Sequence, residues 1–231
     1  MVSDAATDMR QPDYQYDAIV VGLGKTGLAC LRYLHGRGLK LAAVDTRSEP
    51  PTARQARREL PDVAITTGPL DPDLLVRAPQ LVVSPGLSVE EPAIAAARDA
   101  GVEIVGDIEL FARAVERPVI AITGSNGKST VTRLVETMGR GAGVDVVACG
   151  NIGMPALELL DEKAHACYAL ELSSFQLETT RSLRPAAAAL LNLSHDHMDR
   201  YASYADYVAA KQRVYHGARA VVVNRDDPDT A

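Results

Sequence analysis

The chain has 231 residues, 47% of them hydrophobic and 23% charged, with a formal net charge of −6. That length holds one large or two ordinary domains of ~100–200 residues, with enough apolar material for a sizeable core. Net negative charge excludes partners that depend on broad phosphate neutralisation, so no nucleic acid is expected and any anionic ligand must be held by local groups.

The first residues, Met1 to Asp8, are polar and acidic with no apolar core, and no later segment approaches the ~18 apolar residues of a membrane span. No membrane partner is expected, and the cytoplasm is the default compartment. Cys30, Cys149 and Cys167 are odd in number, lack C-x-x-C spacing and lie in or beside apolar stretches, which predicts buried thiols rather than disulfides or a zinc site.

In chain order, a strand is predicted at 18–21, a helix at 28–37, and strands at 41–44, 81–83 and 102–105. Strands alternating with helix-compatible stretches predict a mostly parallel sheet. Gly22-Leu23-Gly24-Lys25-Thr26-Gly27 follows the first strand as G-x-G-x-x-G, and Asp45 closes the next. The pattern suits a dinucleotide at a strand-to-helix turn, but glycines used only for tight packing explain it equally well. Asp45, Thr46 and Arg47 tilt the choice toward a ligand, because they sit at the carboxyl end of a strand, where open α/β sheets bind ligands. Ser84-Pro85-Gly86 ends another strand at that edge; Gly86 would admit a ligand close to the backbone, or the three residues form a plain β-turn.

The alternation restarts after Pro118, which divides the chain into predicted domains at 1–117 and 118–231. A strand at 119–122 leads into Thr123-Gly124-Ser125-Asn126-Gly127-Lys128-Ser129-Thr130 and then a helix at 131–138. This is a shortened phosphate-binding loop: glycines let backbone N–H groups close around phosphate oxygens, Lys128 supplies a point charge and Ser129 can reach a magnesium ion. A turn with a solvated lysine is the weaker alternative, because Gly-Lys-Ser-Thr at such a junction is a joint requirement. Strands follow near 144–147, 167–172 and 187–191. Glu171 ends the second of these, where a buried carboxylate needs a partner; magnesium or the cap of the next turn would each supply one. Residues 192–200 pack His195, Asp196, His197, Asp199 and Arg200 into one post-strand loop, a functional position or a solvated turn. A helix from Tyr204 through Lys211 and Tyr215 and a strand at 220–223 close the chain. A second domain of ~110 residues is small for a sheet still adding strands, so a fragment of a longer protein is expected.

Gly-Asp-Ile-Glu-Leu-Phe at 106–111, the loop at 123–130, Gly-Asn-Ile-Gly at 150–153, Leu-Glu-Leu-Ser-Ser-Phe-Gln-Leu at 170–177, Asp-His-Met-Asp-Arg at 196–200 and Ala-Ala-Lys at 209–211 occur in the order found in the Mur ligases. From about residue 17 onward the chain resembles that family. The resemblance implies a Rossmann-like UDP-sugar domain, then a P-loop-type ATP-binding domain that is incomplete here, with the amino-acid-binding domain absent. It implies that Gly24, Lys25, Thr26, Asp45, Thr46, Arg47 and Gly86 hold the uridine diphosphate, so the glycine turn is no dehydrogenase site. It also implies that Gly124 to Thr130 bind ATP, with Lys128 on the β- and γ-phosphates, and that Asn151, Ser173 and His197 meet the substrate. Ser129, Glu171, His197 and Lys211 would surround magnesium, Lys211 as a carbamate. The family's turn often has an apolar residue where Lys25 stands, and that lysine would add a charge contact to the diphosphate.

The activity implied is ATP-dependent addition of glutamate to UDP-N-acetylmuramoyl-L-alanine through an acyl phosphate, by a monomer, with Lys128, Glu171, His197 and Lys211 as catalytic residues. D-glutamate is the family default, and the alternatives are a ligase for L-glutamate, a NAD-dependent dehydrogenase, which leaves the second loop without a task, a folate polyglutamate synthetase, which the first domain argues against, and a ligand-binding fragment inactive by itself.

Overall fold

A computed structural model of the chain describes residues 14–160 and 165–231; the polar stretch Met1 to Asp8 lies outside them. Short runs of valine, isoleucine and alanine form two separate sheets, each wholly parallel, whose inner strands are largely buried on both faces. In the first, β1 (Ala18–Val21), α1 (Lys25–His35), β2 (Leu41–Asp45), α2 (Ala53–Glu59), β3 (Ala64–Thr67), α3 (Pro72–Leu75), β4 (Gln80–Val83), α4 (Pro92–Asp99) and β5 (Glu103–Val105) are followed by α5 (Asp107–Ala114). The strand order is β3-β2-β1-β4-β5. The second contains β6 (Val119–Thr123), α6 (Lys128–Gly141), β7 (Val146–Gly150), β8 (Cys167–Glu171), α7 (Ser174–Glu178), β9 (Ala187–Leu190), α8 (Tyr204–Gln212) and β10 (Val221–Val223). Its order is β10-β9-β6-β8-β7. Two α/β units with parallel sheets are the fold class that the residue pattern predicts.

The period of two in β1 sorts its side chains onto two cores. Ile19 and Val21 pack with Val44, Leu81 and Ile94 on one face. Ala18 and Val20 face the other way, into a core that runs without a break through Leu31, Phe111, Leu157 and Tyr168 and so spans both units. Helix α5 makes that continuity: it contacts α1, α7 and the 3-10 turn Ala156–Leu159, and the Phe111 ring meets Tyr168 edge-on with centroids 5.3 Å apart.

Several predicted bounds shift. Helix α1 begins at Lys25 rather than 28, because Gly24 takes the extended N-cap conformation and the tail of the glycine motif becomes the first helical turn. Strand β7 runs Val146–Gly150, not 144–147, because its ladder with β8 pairs Val146 with Cys167 and Gly150 with Glu171. The final helix stops at Gln212 and continues as the 3-10 turn Arg213–Tyr215. Strand β3 was not foreseen: it is an edge strand whose residues are half-exposed or exposed. Cys30 and Cys149 are buried thiols as expected, but Cys167 is only partly buried.

Candidate functional site

Both sheets reverse strand order beside their first strand, β1 between β2 and β4 and β6 between β8 and β9. Such a switch point opens a crevice outside the carboxyl ends of the strands. In the first unit that crevice is a cavity of about 340 Å³ lined by Gly22, Gly24, Lys25, Thr26, Asp45, Thr46, Arg47, Ser84, Pro85, Gly86 and Leu87. All seven residues expected to hold the diphosphate meet there. The turn beneath it is glycine by necessity, since a Cβ on Gly27 would lie 1.8 Å from the Gly22 carbonyl oxygen. Gly24 offers no side-chain cap to α1, so the first N–H groups of the helix are left for an anion.

Asp45 also ties the turn together. It is buried, one carboxylate oxygen accepts the Leu23 N–H at 2.6 Å, and both are bound by the Arg47 guanidinium at 2.8 and 2.6 Å. Burial raises its pKa, but these bonds outweigh it and hold the carboxyl below the ordinary aspartate value. Asp45 therefore fixes the turn and aims Arg47.

The phosphate loop follows β6. Gly127, with φ of 77°, is the uncapped N-cap of α6, so the N–H groups of Lys128, Ser129 and Thr130 lack intrahelical acceptors. Earlier in the loop the amides are engaged: Ser125 N donates to the Asn192 carbonyl at 2.9 Å and Asn126 N to Asn192 Oδ1 at 2.9 Å. The Ser125 hydroxyl lies 2.7 Å from that of Tyr207 and accepts the Ser194 N–H at 3.0 Å. These contacts brace the loop against the segment after β9. Lys128 Nζ donates to the Gly124 and Ser125 carbonyls, each at 2.9 Å, and Lys211 Nζ to Gly124 at 3.0 Å.

A second cavity, of about 380 Å³, is lined by Pro85, Gly86, Lys128, Asn151, Ser173, Ser174, Phe175, His197, Arg200 and Lys211. It shares Pro85 and Gly86 with the first, so the two sheet edges open onto one continuous crevice. Lys211, on α8, is only 2% exposed. Burial, and then the charge of Lys128, lower its pKa from 10.5 to about 7. His197 is the one non-glycine residue with positive φ among those described, at 55°, and its ring packs 4.9 Å from Phe175. Strained backbone of this kind clusters at functional sites.

Glu171 and Ser129 do not line this cavity. Glu171 ends β8 behind Asn151, whose Nδ2 donates to its Oε1 at 2.8 Å, while Oε2 is buried and has no partner. Ser129 is exposed in the first turn of α6. No group of three or more His, Cys, Asp or Glu residues that could hold a metal occurs among the described residues. Phe175 and Arg200 went unassigned in the sequence, although both stand in quoted motifs. Arg200 stacks on Phe175 at 4.2 Å and donates to the Leu87 carbonyl at 2.6 Å.

Residues 16–106 match the Mur ligase MurD-like N-terminal domain and residues 122–231 the Mur ligase middle domain. The UDP-N-acetylmuramoylalanine--D-glutamate ligase of Nitrosococcus oceani is 52% identical over 217 residues, 94% of this chain and 48% of that protein. That of Marinobacter nauticus is 54% identical over 209 residues, 90% of this chain and 47% of its own. The chain thus spans about half the length of these relatives. Among solved structures, UDP-N-acetylmuramate:L-alanyl-gamma-D-glutamyl-meso-diaminopimelate ligase from Neisseria meningitides shares the fold with a TM-score of 0.59 at 18% identity, over 92% of this chain and 72% of that one. UDP-N-acetylmuramate-alanine ligase from Thermotoga maritima does so at 0.56 and 20%, over 93% and 50%.

Proposed function

Because the chain belongs to the Mur ligase family, we propose that it carries the UDP-sugar and ATP sites of a peptidoglycan-precursor ligase that joins D-glutamate to UDP-N-acetylmuramoyl-L-alanine. The observation that carries this reading is the single crevice in which the diphosphate cavity and the phosphate-loop cavity meet at Pro85 and Gly86. A substrate held by its uridine diphosphate in the first can extend its acyl end into the second, beside Lys128. A dehydrogenase would instead use Asp45 on a ribose, and both oxygens of Asp45 already accept two hydrogen bonds each from Leu23 and Arg47.

In this reading the substrate carboxylate attacks the γ-phosphorus of ATP and ADP leaves. The glutamate amine then attacks the acyl carbon, phosphate leaves, and the amine proton is released as the amide forms. The reactants are anions, so the demand on the protein is charge neutralisation and alignment. Lys128 and the first turn of α6 hold the nucleotide phosphates, Arg47 and the N-terminus of α1 hold the diphosphate, and Asn151, Ser173 and His197 orient the muramoyl-alanyl end.

One observation supports a magnesium ion in this reading, although Ser129 and Glu171 stand outside the cavity that His197 and Lys211 line. A buried, unpartnered carboxylate oxygen on Glu171 is what a hard cation would satisfy. Ser129, Glu171, His197 and a carbamylated Lys211 would hold it, and bound there it would neutralise phosphate charge. Lys211 suits carbamylation because a pKa of about 7 leaves much of the amine neutral. That amine adds to carbon dioxide and loses a proton, which turns a cation into an oxygen ligand. A monomer in the cytoplasm goes with this reading, and among the described residues no helix is long and apolar enough to cross a membrane. Taken as half the length of its relatives, the chain by itself is proposed to bind ligands without turnover.

Calorimetric titration with UDP-N-acetylmuramoyl-L-alanine and, separately, with NAD tests the assignment. Heat from the UDP-sugar alone is expected; heat from NAD alone would overturn it.

A further inference from the structure

The Gly-Asp-Ile-Glu-Leu-Phe run at 106–111 has no part in the mechanism above, yet its polar residues are buried against the segment that carries Ser173. Asp107 is 4% exposed and Gln176 3%. Gln176 Nε2 donates to Asp107 Oδ2 at 3.0 Å, and the other end of the same amide, Oε1, accepts the Ser173 N–H at 3.1 Å and lies 3.3 Å from the Ser173 hydroxyl. Gln176 N donates back to that hydroxyl at 3.2 Å. Beside them, a Cβ on Gly106 would fall 2.3 Å from Thr179 Oγ1. Glu109 accepts from Arg181 N, Ser182 N and the Ser182 hydroxyl at 2.7, 2.9 and 2.7 Å. The last helix after the first sheet is thereby clipped to the stretch 173–182 of the second unit.

An ionised carboxylate only accepts hydrogen bonds. At position 107 it compels Gln176 to turn its NH₂ inward, which leaves the amide oxygen, and no other end, for Ser173. Apolar packing would bury the same surface without setting the direction of the amide, and a buried acceptor left with one unpaired oxygen, Asp107 Oδ1, is destabilising. We propose that Asp107 is a positioning residue: through Gln176 it fixes the Ser173 hydroxyl in the crevice, and so sets affinity for the muramoyl-alanyl end of the substrate but not for its uridine diphosphate. The proposal rests on the ligase reading.

The two ends of the ligand separate the effect. UDP alone occupies the first cavity, which Ser173 does not line, whereas UDP-N-acetylmuramoyl-L-alanine reaches both. By calorimetry, Asp107→Leu is expected to weaken the UDP-sugar about tenfold and to leave UDP within about twofold of wild type. Asp107→Asn, whose amide oxygen can still accept from Gln176, is expected to restore the UDP-sugar to near its wild-type affinity. Gln176→Met, close in volume but unable to cap Ser173, should reproduce the leucine variant and serves where that variant does not fold. Equal losses for UDP and the UDP-sugar in the folded variants, or no loss for either, would overturn the positioning role while leaving the ligase reading intact. Wild-type chain that binds neither ligand would overturn both.

Discussion

Lys128 and Lys211 donate to the same carbonyl, that of Gly124, and Lys128 also to that of Ser125, so two amines crowd onto neutral acceptors with no carboxylate bonded to either. Lys211 is the buried partner, and its pKa falls from 10.5 unfolded to about 7 folded. A depressed lysine pKa means that the unfolded chain binds the proton more tightly. Its contribution is therefore intact above pH ~10.5, diminishes as pH falls toward 7, and stays lost below that. Lys211→Met is expected to stabilise the ligand-free chain by about 1–3 kcal/mol at pH 6.5, with the gain shrinking toward pH 10; urea midpoints at the two pH values check it. The same variant should be inactive in the complete enzyme, as expected where stability was given up for function. Lys128→Ala should lower turnover by about 10²–10³, the usual loss when one charge-stabilising donor is removed. Turnover near the wild-type rate would refute the phosphate-loop role of Lys128. Lys128 was legible because its spacing from Gly124 and Gly127 carries meaning by itself. Lys211 was not, since a lysine on a helix reads as solvated until the fold turns it inward, and only the family resemblance singled it out.

At the level of elements, strands were legible where they lie inside a sheet. The runs at 18–21, 119–122 and 187–191 are apolar on both faces because helices cover both, and an unbroken apolar run between turn residues is readable. Strand β3 and the bounds of β7 were not, because an edge strand obeys pairing geometry more than composition. Helix α5 was quoted as a motif and not read as a helix, yet it holds the two units to one core. Phe111 is fully buried in that core, against Tyr168. Phe111→Ala is expected to destabilise by ~3–5 kcal/mol, the range for a large aromatic truncated in a core. Because the cluster crosses both units, the loss should appear in a single shifted thermal transition. A variant in which the units melt separately would show that the core is not shared.

For the whole molecule, each crevice wall comes from its own sheet edge, and what sequence reasoning lacked was the seam between them. The residues of the diphosphate cavity lie within about 65 positions and follow from strand ends; that Gly86 should also face Lys128 and Lys211 depends on how two units pack, which no local pattern encodes. Arg200 holds that seam. Its guanidinium donates from the loop after β9 to the Leu87 carbonyl at 2.6 Å and the Pro85 carbonyl at 3.4 Å, while its flat face lies on Phe175. Lysine could not do both, since it has neither a planar face nor a fork of donors. Arg200→Ala should therefore loosen the lip at 85–87 without unfolding either sheet. Hydrogen exchange is expected to quicken at Gly86 and Leu87, with β1 and β6 protected as before, because local opening follows the contacts removed and strands at the sheet centre exchange only in larger unfolding. If the lip exchanged no faster, the seam would be held by the shared core around Phe111 alone, and Arg200 would be free to serve substrate only.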